Sequence, residues 1–343
     1  MTFFLNFFSL MSPTWVVEDI LVYLLAIGVL FFWMKKSKDR APYLFLELIA
    51  FMFVYASVFE NLAVTQQHFY SYGTSLIMIG NVPLSVPLIE ALVFIGGLTL
   101  VDSMRVPIWC KPFLVGFFAI LQDLSLDPLA VSQVAHISGG VSARWQWLIL
   151  KPGMASLFNE PVHNFSGWLL LMFFATICLF LGRWWFNKSN AHPLVGVVYP
   201  FVSMIAALLI LLTPPVGPLM LWLGPFFAQG SVSEWIMLAF YLFFPAILLL
   251  VFWRGRMQRP LLLREMWPIF GIFVFLHASD LVFTLIGGYW NVLWIVALSG
   301  VVHTLLLLTI YLSGRRVDAT KQREEAQGRI TPEALTPLLT QER

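Results

Sequence analysis

Acidic side chains set within apolar stretches are the residues of this sequence best placed to do chemistry. Apolar residues flank Glu60 and Glu90, Asp123 and Asp127 lie four residues apart, and Glu160 comes shortly before another apolar stretch. A carboxylic acid that keeps its proton can protonate a substrate, and an ionised neighbour can accept a proton. These residue types favour acid–base catalysis, although Glu60 and Glu90 could share a proton in a structural pair and Glu160 could be a solvated loop residue.

Aromatic residues and one amide accompany these acids in the sequence. Aromatic faces stabilise a nearby cation, and an amide can orient a water molecule. Aromatic residues beside acids in an apolar setting suggest chemistry on a hydrocarbon through a carbocation. The residues concerned are Tyr70, Tyr72, Trp145, Trp147, Trp168 and Asn164.

Several of these residues also admit purely structural roles. Asp127 precedes Pro128, a pattern typical of a helix N-cap followed by proline at the first helical position. If the helix instead continues, Asp123 and Asp127 share one face, where two like charges would favour the protonated form of one of them. Asn164 could cap the helix that follows it, and tryptophans near a membrane surface are commonly anchors.

The composition identifies the class of protein that must position these residues. Of the 343 residues, 59% are hydrophobic and only 11% are charged, and the mean hydropathy is +0.84. Soluble domains carry about 25% charged residues, so a water-soluble globule and a disordered chain are excluded, and the long apolar runs do not fit a β-barrel. A net charge of +2 gives no basic field for nucleic acid. The sequence predicts an all-α, polytopic integral membrane bundle.

The apolar stretches predict nine transmembrane helices of about 20 residues each. A further apolar segment, residues 216–228, is too short and too rich in proline and glycine to span, and is predicted to be re-entrant or interfacial. Lys35 is the first basic residue, so no cleaved signal peptide is expected and the first stretch is counted as a span. The predicted spans are residues 17–34, 43–64, 83–102, 108–123, 164–183, 194–212, 233–253, 265–286 and 290–312.

The distribution of basic residues predicts the orientation. With nine spans, all but Arg144 and Lys151 of the 20 Lys and Arg residues fall on one side, and cytoplasmic loops carry this excess. The N-terminus is therefore expected outside, and the C-terminus in the cytoplasm of a bacterial or archaeal cell. Residues 1–312 are expected to form one transmembrane domain, and residues 313–343 a polar, flexible cytoplasmic tail.

Three motifs, taken in their order along the chain, resemble those of one known family. Asp123–Pro128 reads D-x-x-x-D-P, Trp145–Trp147 reads W-x-W, and Pro161–Trp168 reads P-x-x-N-F-x-G-W. Shorter matching pieces lie upstream, at Glu60, Phe69–Tyr72, Gly80–Leu84 and Val86–Pro87. The chain resembles the CruF-type carotenoid hydratases, also called bisanhydrobacterioruberin hydratase-like carotenoid biosynthesis proteins, with a family-like core at about residues 43–186.

The resemblance implies a hydratase that adds water across the terminal isoprenoid double bond of acyclic or half-cyclised carotenoids, without a metal or other cofactor. It implies Asp123 and Asp127 as the acid pair, Glu60 as a second acid or water-positioning base, and Asn164 as the residue that orients water. The residues expected to line the substrate pocket are Tyr70, Tyr72, Glu90, Trp145, Trp147 and Trp168. The expected partners are a carotenoid or other isoprenoid from the bilayer, membrane lipids, and other enzymes of carotenoid or isoprenoid synthesis, but no nucleic acid.

Other functions stay open at this point. Asn81 and Glu90 depart from the family pattern, and the region after residue 190 carries no motif, which leaves room for a membrane terpenoid cyclase that begins with the same protonation. A proton-coupled transporter or lipid-binding protein could use Glu60, Glu90 and Asp280 as a proton relay.

The histidines and cysteines give weaker signals. His277 and His303 are expected at similar depths in the last two spans, where they could ligate a haem, belong to a quinone-binding subunit or hydrogen-bond between helices. Cys110 and Cys178 have no metal-binding spacing and are expected to be structural.

Overall fold

Nine helices long and apolar enough to cross a membrane run through the part of the chain that the structure describes. The structure is a computed structural model that describes residues 11–36, 41–137, 140–150, 152–213, 231–253, 255, 257 and 263–326. The predicted re-entrant segment, 216–228, lies outside the described residues, as does the end of the predicted tail. The helical membrane fold and the nine spans predicted from the sequence are confirmed.

The helices are numbered in chain order. Two of them contain a π-helical segment: α2 changes to π-helix at Phe51–Ala56, and α7 ends in one at Leu249–Trp253. The bounds are α1 Pro13–Lys36, α2 Ala41–Ala50 with its continuation Ser57–Thr65, α3 Ser85–Ser103, α4 Lys111–Ser132, α5 Val162–Lys188, α6 Pro193–Leu212, α7 Ser231–Leu248, α8 Leu263–Gly287 and α9 Leu293–Ala326.

The centre of the bundle is formed by α3 and α4. In the apolar 18-residue stretch of each of them, 78% is buried inside the protein. The corresponding share is 22% for the span Glu234–Trp253 of α7. In lipid every backbone polar group must be bonded within its own segment, and a helix achieves this. The outer helices can therefore leave large apolar side chains such as Leu24, Ile27 and Phe31 exposed to the acyl chains. Several polar groups on α3 and α4, among them Glu90, Gln122 and Asp123, are buried inside the bundle.

Short antiparallel strands connect the helices at one end of the bundle, which we call the site end. They form four two-stranded sheets, β1–β6, β2–β3, β4–β5 and β7–β8. The strands are β1 Tyr70–Tyr72, β2 Met78–Ile79, β3 Val82–Pro83, β4 Val134–Ile137, β5 Gly140–Ala143, β6 Trp145–Trp147, β7 Ser156–Leu157 and β8 Glu160–Pro161. No strands were predicted from the sequence. Each observed strand has only two to four residues, which are too few to show a period-two pattern.

Helix α4 is longer than the sequence analysis predicted. The predicted span ended at Asp123, but the helix continues to Ser132 and contains Pro128. The N-cap role considered for Asp127 is therefore wrong. Proline lacks only the backbone hydrogen bond to the fourth residue before it, and near the helix end this loss is tolerated, while Ser132 Oγ donates to the Pro128 carbonyl at 2.7 Å. Asp123 and Asp127 consequently lie one turn apart on the same helix.

The last helix also extends beyond its predicted span. Helix α9 continues to Ala326, so the first part of the predicted tail, from residue 313, is helical. The sequence there is rich in Arg, Lys, Gln, Glu and Ala, which are good helix formers, and a polar helix can project from the bilayer into water.

An ion-pair cluster joins four helices, α2 to α5, at the end of the bundle opposite the site end, and a hydrogen bond attaches α6 to it. The Arg183 guanidinium donates to both carboxylate oxygens of Glu47, at 2.7 and 2.6 Å, and to Asp102 Oδ2 at 2.5 Å. The Tyr199 hydroxyl donates to Glu47 Oε1 at 2.6 Å, and Lys111 pairs with Asp102 at 3.2 Å. Glu47 is only 2% exposed, so its charge depends on this pairing.

We expect Arg183→Met to destabilise the protein by about 3–5 kcal/mol, because it leaves a buried carboxylate without its partner. The measurement is the apparent Tm of the detergent-purified protein. Lys188→Met, at an exposed position on the same helix, is the control and should leave Tm nearly unchanged. The double variant R183M/E47Q should recover part of the loss, since it removes the unpaired charge; equal Tm values for R183M and wild type would contradict the role of this cluster.

Candidate active site

A cavity with an empty volume of about 940 Å³ lies at the site end of the bundle. Its wall combines side chains of α1, α2, α3, α4, α5 and α8 with β1 and the start of β6. Most of the predicted site residues line it, namely Glu60, Tyr70, Tyr72, Glu90, Asp127, Trp145, Asn164 and Trp168. The cavity therefore brings together acids, an amide and aromatic faces that are far apart in the sequence.

A second cavity of about 710 Å³ adjoins the first. Trp147, which does not line the first cavity, lines this one together with His163. The residues that border both cavities are Glu60, Tyr70, Glu90, Asn164 and Trp168. The remaining wall is apolar, formed by Phe59, Ala63, Phe69, Gly167, Leu170, Leu171 and Leu211. Together the two cavities form a polar centre that continues into an apolar compartment.

Three carboxyl groups meet beside the first cavity. Asp123, Asp127 and Glu160 each place one oxygen so that all three atoms lie within 4.8 Å of one another. Asp123 and Glu160 are fully buried, and among the described residues none of the three forms an ion pair. Of the three, only Asp127 lines the cavity. Asp123 therefore lies behind Asp127 and does not border the cavity.

The amide of Asn164 holds this cluster together. Its Nδ2 donates to Asp127 Oδ2 at 2.8 Å and to Glu160 Oε1 at 2.6 Å. Helix α5 begins at Val162 without a side-chain cap, so the capping role considered for Asn164 is wrong. Both oxygens of Asp123 and Oε2 of Glu160 lack a hydrogen-bond partner in the described part of the chain. Three carboxyl groups arranged in this way, two of them buried and one facing the cavity, can share protons, and the same oxygens could hold a cation.

Glu160 was left out of the predicted catalytic set. Its position in the loop before α5 allowed a solvated role, but β8 turns it inward and it is fully buried. Burial, followed by the negative charge of Asp127, raises the pKa of Glu160 well above its usual value of 4.5. The protonated form of Glu160 is therefore favoured next to Asp127. Only the spacing of Glu160 and Asn164, four residues apart, hinted at this contact.

The carboxylate of Glu60 is fixed by two phenols. Tyr70 and Tyr72 donate to Glu60 Oε2 at 2.9 and 2.7 Å. Residues two apart on a strand share one face, so β1 directs both hydroxyl groups to the same oxygen. Burial, and then the charge of Glu60, raise the pKa values of both tyrosines well above their usual value, which keeps them as hydrogen-bond donors. Oε1 of Glu60 is left for another ligand.

An aromatic wall stands behind these phenols. Strand β1 pairs with β6 so that Tyr70 faces Trp147 and Tyr72 faces Trp145. The Tyr72 and Trp145 rings are stacked with centroids 6.0 Å apart, and Tyr70 meets the Trp147 ring edge-on at 4.8 Å. Trp145 and Trp147 are 6% and 8% exposed, so they are packed inside the protein and are not membrane anchors.

Polar residues that the site prediction omitted complete the cavity. Arg144 forms ion pairs with Glu18 and Asp19 of α1 and donates to Gln133 at 3.0 Å. Glu18, Gln133 and Arg144 all line the cavity. Only one indication of these residues is present in the sequence, namely that Arg144 is one of the two basic residues expected on the outer side of the membrane. They join α1 to the connection between α4 and α5 and close one side of the cavity.

The two histidines of α8 and α9 contact each other directly. His277 Nε2 and His303 Nδ1 are 3.0 Å apart. Metal–imidazole bonds are about 2 Å long, so an iron held between these nitrogens would need them about 4 Å apart. The observed contact is the interhelical hydrogen bond that the sequence analysis considered, and this arrangement does not fit a bis-histidine haem.

Comparison with known proteins gives one match. The family model for carotenoid biosynthesis proteins matches residues 19–224, well over half of the chain. No curated protein and no solved structure matches the chain. The matched region contains every predicted site residue and ends before α7, α8 and α9.

The raised pKa of Glu160 predicts how stability depends on pH. Because the folded protein holds this proton more tightly than the unfolded chain, the stabilisation is complete below the usual pKa of 4.5 and is lost as pH rises through the raised value. Glu160→Gln imitates the protonated form and keeps an acceptor for Asn164. Apparent Tm, measured from about pH 5 to pH 9, should fall less steeply for E160Q than for wild type. Parallel profiles would contradict the assignment.

Proposed function

The chain belongs to the carotenoid biosynthesis protein family, and we propose that it is a membrane hydratase that adds water across a terminal isoprenoid double bond. The observation that carries this proposal is the cavity in which buried carboxyl groups face aromatic rings within an apolar bundle. The nine apolar helices fit a multi-pass membrane protein, which would receive a carotenoid or related isoprenoid from the bilayer.

The reaction begins with proton transfer from Asp127. Of the three clustered acids it is the one that lines the cavity. Its O–H bond breaks, a C–H bond forms at the less substituted alkene carbon, and the π electrons are used to form that bond. A tertiary cation remains on the other carbon. Asp123 and Glu160 stabilise the negative charge left on Asp127 by sharing their protons with it, and the Asn164 amide donates to it.

Aromatic faces stabilise the cation during its lifetime. The stacked pair of Tyr72 and Trp145 and the ring of Trp168 border the cavity, and a ring face attracts a cation through its quadrupole. These groups are apolar enough to admit a hydrocarbon. Water is then the nucleophile, and its oxygen forms the new C–O bond.

Glu60 positions the attacking water. The two phenols occupy its Oε2 and fix the carboxylate plane, so Oε1 can accept a hydrogen bond from water beside the cation. Glu90, 3% exposed and bordering both cavities, lies at the junction of the polar and apolar compartments. A second buried acid at this junction is the observation that favours the alternative of a cyclase, in which an internal alkene captures the cation.

Expression in a host that makes acyclic carotenoids should yield a pigment heavier by one water. Asp127→Asn and Glu60→Gln should each lower its formation by about 10²–10⁴-fold, the usual contribution of general acid–base catalysis. Glu234→Gln is the control, because Glu234 is a buried acid that borders neither cavity. A modified pigment of unchanged mass would establish the cyclase instead, and full activity of both variants would refute the site.

The apolar compartment should hold the hydrocarbon chain next to the reacting double bond. Gly167 borders it, and a Cβ built there meets no atom within 4 Å. Gly167→Leu should therefore fill the compartment without disturbing the fold, and should lower product formation by at least about tenfold, the cost of a misplaced substrate. Gly28→Leu, equally open but on the exposed face of α1, is the control. Equal product yields from the two variants would show that the hydrocarbon chain of the substrate lies outside this compartment.

A further inference from the structure

One buried carboxyl group that borders the cavity has no role in the steps above. Asp280 lies on α8, beyond the residues that the family model matches, and lines the same cavity as Asp127 and Glu60. It is 6% exposed. Its Oδ2 accepts a hydrogen bond from Ser125 Oγ at 2.7 Å. Ser125 stands on α4 between the two aspartates of the acid pair, so α4 carries both the acid that lines the cavity and the donor to Asp280.

A chain of three hydrogen bonds ends at Asp280. Ser125 Oγ lies 2.7 Å from Asp280 Oδ2 and also 2.7 Å from His277 Nδ1. His277 Nε2 lies 3.0 Å from His303 Nδ1. All four side chains are buried. The chain thus crosses from α9 through α8 and α4 and reaches the cavity only at the carboxyl group.

Only one arrangement of protons suits an ionised Asp280. The carboxylate can only accept, so the single hydroxyl proton of Ser125 must point at it, at 2.7 Å, and not at the Gln122 carbonyl, which lies 3.0 Å away. Ser125 Oγ is then an acceptor for His277 Nδ1–H, which leaves His277 Nε2 as an acceptor for His303 Nδ1–H. In this arrangement all three donors point towards Asp280, and each hydrogen bond polarises the next.

The surroundings of Asp280 differ from those of Asp127. Asp127 has two further carboxyl groups within 4.8 Å, which favours shared protons. Asp280 has a hydroxyl donor at 2.7 Å and shares its cavity with the cation of Arg144. The two carboxyl groups therefore differ in their neighbours: other acids surround Asp127, which suits it to giving a proton, whereas a hydroxyl donor and a cation accompany Asp280, which suits it to taking one.

We propose that Asp280 is the base that takes the proton of the attacking water, and that Ser125, His277 and His303 are positioning residues that keep it ionised. The proposal rests on the hydratase function. As the water oxygen forms the C–O bond to the tertiary cation, one of its O–H bonds breaks and that proton passes to Asp280. Asp127 has lost one proton and Asp280 has gained one, so after the alcohol leaves, proton exchange through water restores both groups.

The test separates alkene protonation from water capture. Membranes holding the full-length protein and an acyclic carotenoid are incubated in D₂O, and the alcohol and the recovered hydrocarbon are analysed by mass spectrometry. Wild type should give deuterated alcohol. Asp280→Asn should lower alcohol formation about 10²-fold or more, while deuterium appears in the recovered hydrocarbon, because the cation still forms and then loses a proton. Asp127→Asn should abolish both signals.

Three further variants guard against a simple folding defect. Ser125→Ala removes the donor to Asp280 and should shift product from alcohol to deuterated hydrocarbon, whereas Ser132→Ala, which removes a hydroxyl bonded only within α4, should not. Asp280→Glu should restore part of the alcohol. Wild-type alcohol formation by D280N, or loss of both signals as in D127N, would overturn the role of Asp280. Absence of alcohol from wild type would instead reject the hydratase function itself.

Discussion

The cost of ionising a carboxyl group inside an apolar bundle is the constraint on which the rest of this structure depends. An isolated buried charge is so unfavourable that the group must be paired, hydrogen-bonded or protonated. Glu47 is paired with Arg183, Glu60 accepts from two phenols, and Asp123 is fully buried beside other acids without an ion pair among the described residues. These are three different solutions to one energetic problem. Only Glu60 and Asp123, the two at the site end, form no ion pair with a described residue and so remain available for the proposed acid–base chemistry.

The two ends of the bundle show this contrast clearly. At the end opposite the site, Arg183 and Lys111 neutralise Glu47 and Asp102, and the resulting cluster ties four helices together. At the site end, Arg144 is paired with Glu18 and Asp19, whereas the cluster of Asp123, Asp127 and Glu160 has no ion pair among the described residues. Charge pairing therefore ties helices together at one end, whereas at the other end no ion pair with a described residue holds Asp127, which suits the proton transfer that we propose for it.

Rigid elements make this arrangement possible. Helices α3 and α4, the most enclosed of the bundle, hold Glu90, Asp123 and Asp127, while the small β1–β6 sheet holds the phenols and the indoles. A strand alternates its side chains with period two, so one three-residue strand presents two donors to one carboxylate oxygen. A site built from packed helices and a paired strand keeps its donors fixed, which is what the proposed stabilisation of a short-lived cation would require.

The sequence by itself determined the class of the protein, the nine spans and much of the acid set, because these depend on composition and on short-range spacing. Asp123 and Asp127 are four residues apart in the sequence, and hydrophobic runs of membrane length can be read directly. Tertiary structure alone decided that α4 continues through Pro128, that Glu160 is buried, that Tyr70 and Tyr72 reach Glu60, and that Asp280 shares their cavity. Each of these depends on contacts between segments far apart in the chain, and pairing of β1 with β6 or packing of α8 against α4 leaves no local pattern. Periodicity reports which face of an element is apolar, but only the packed bundle specifies what that face meets.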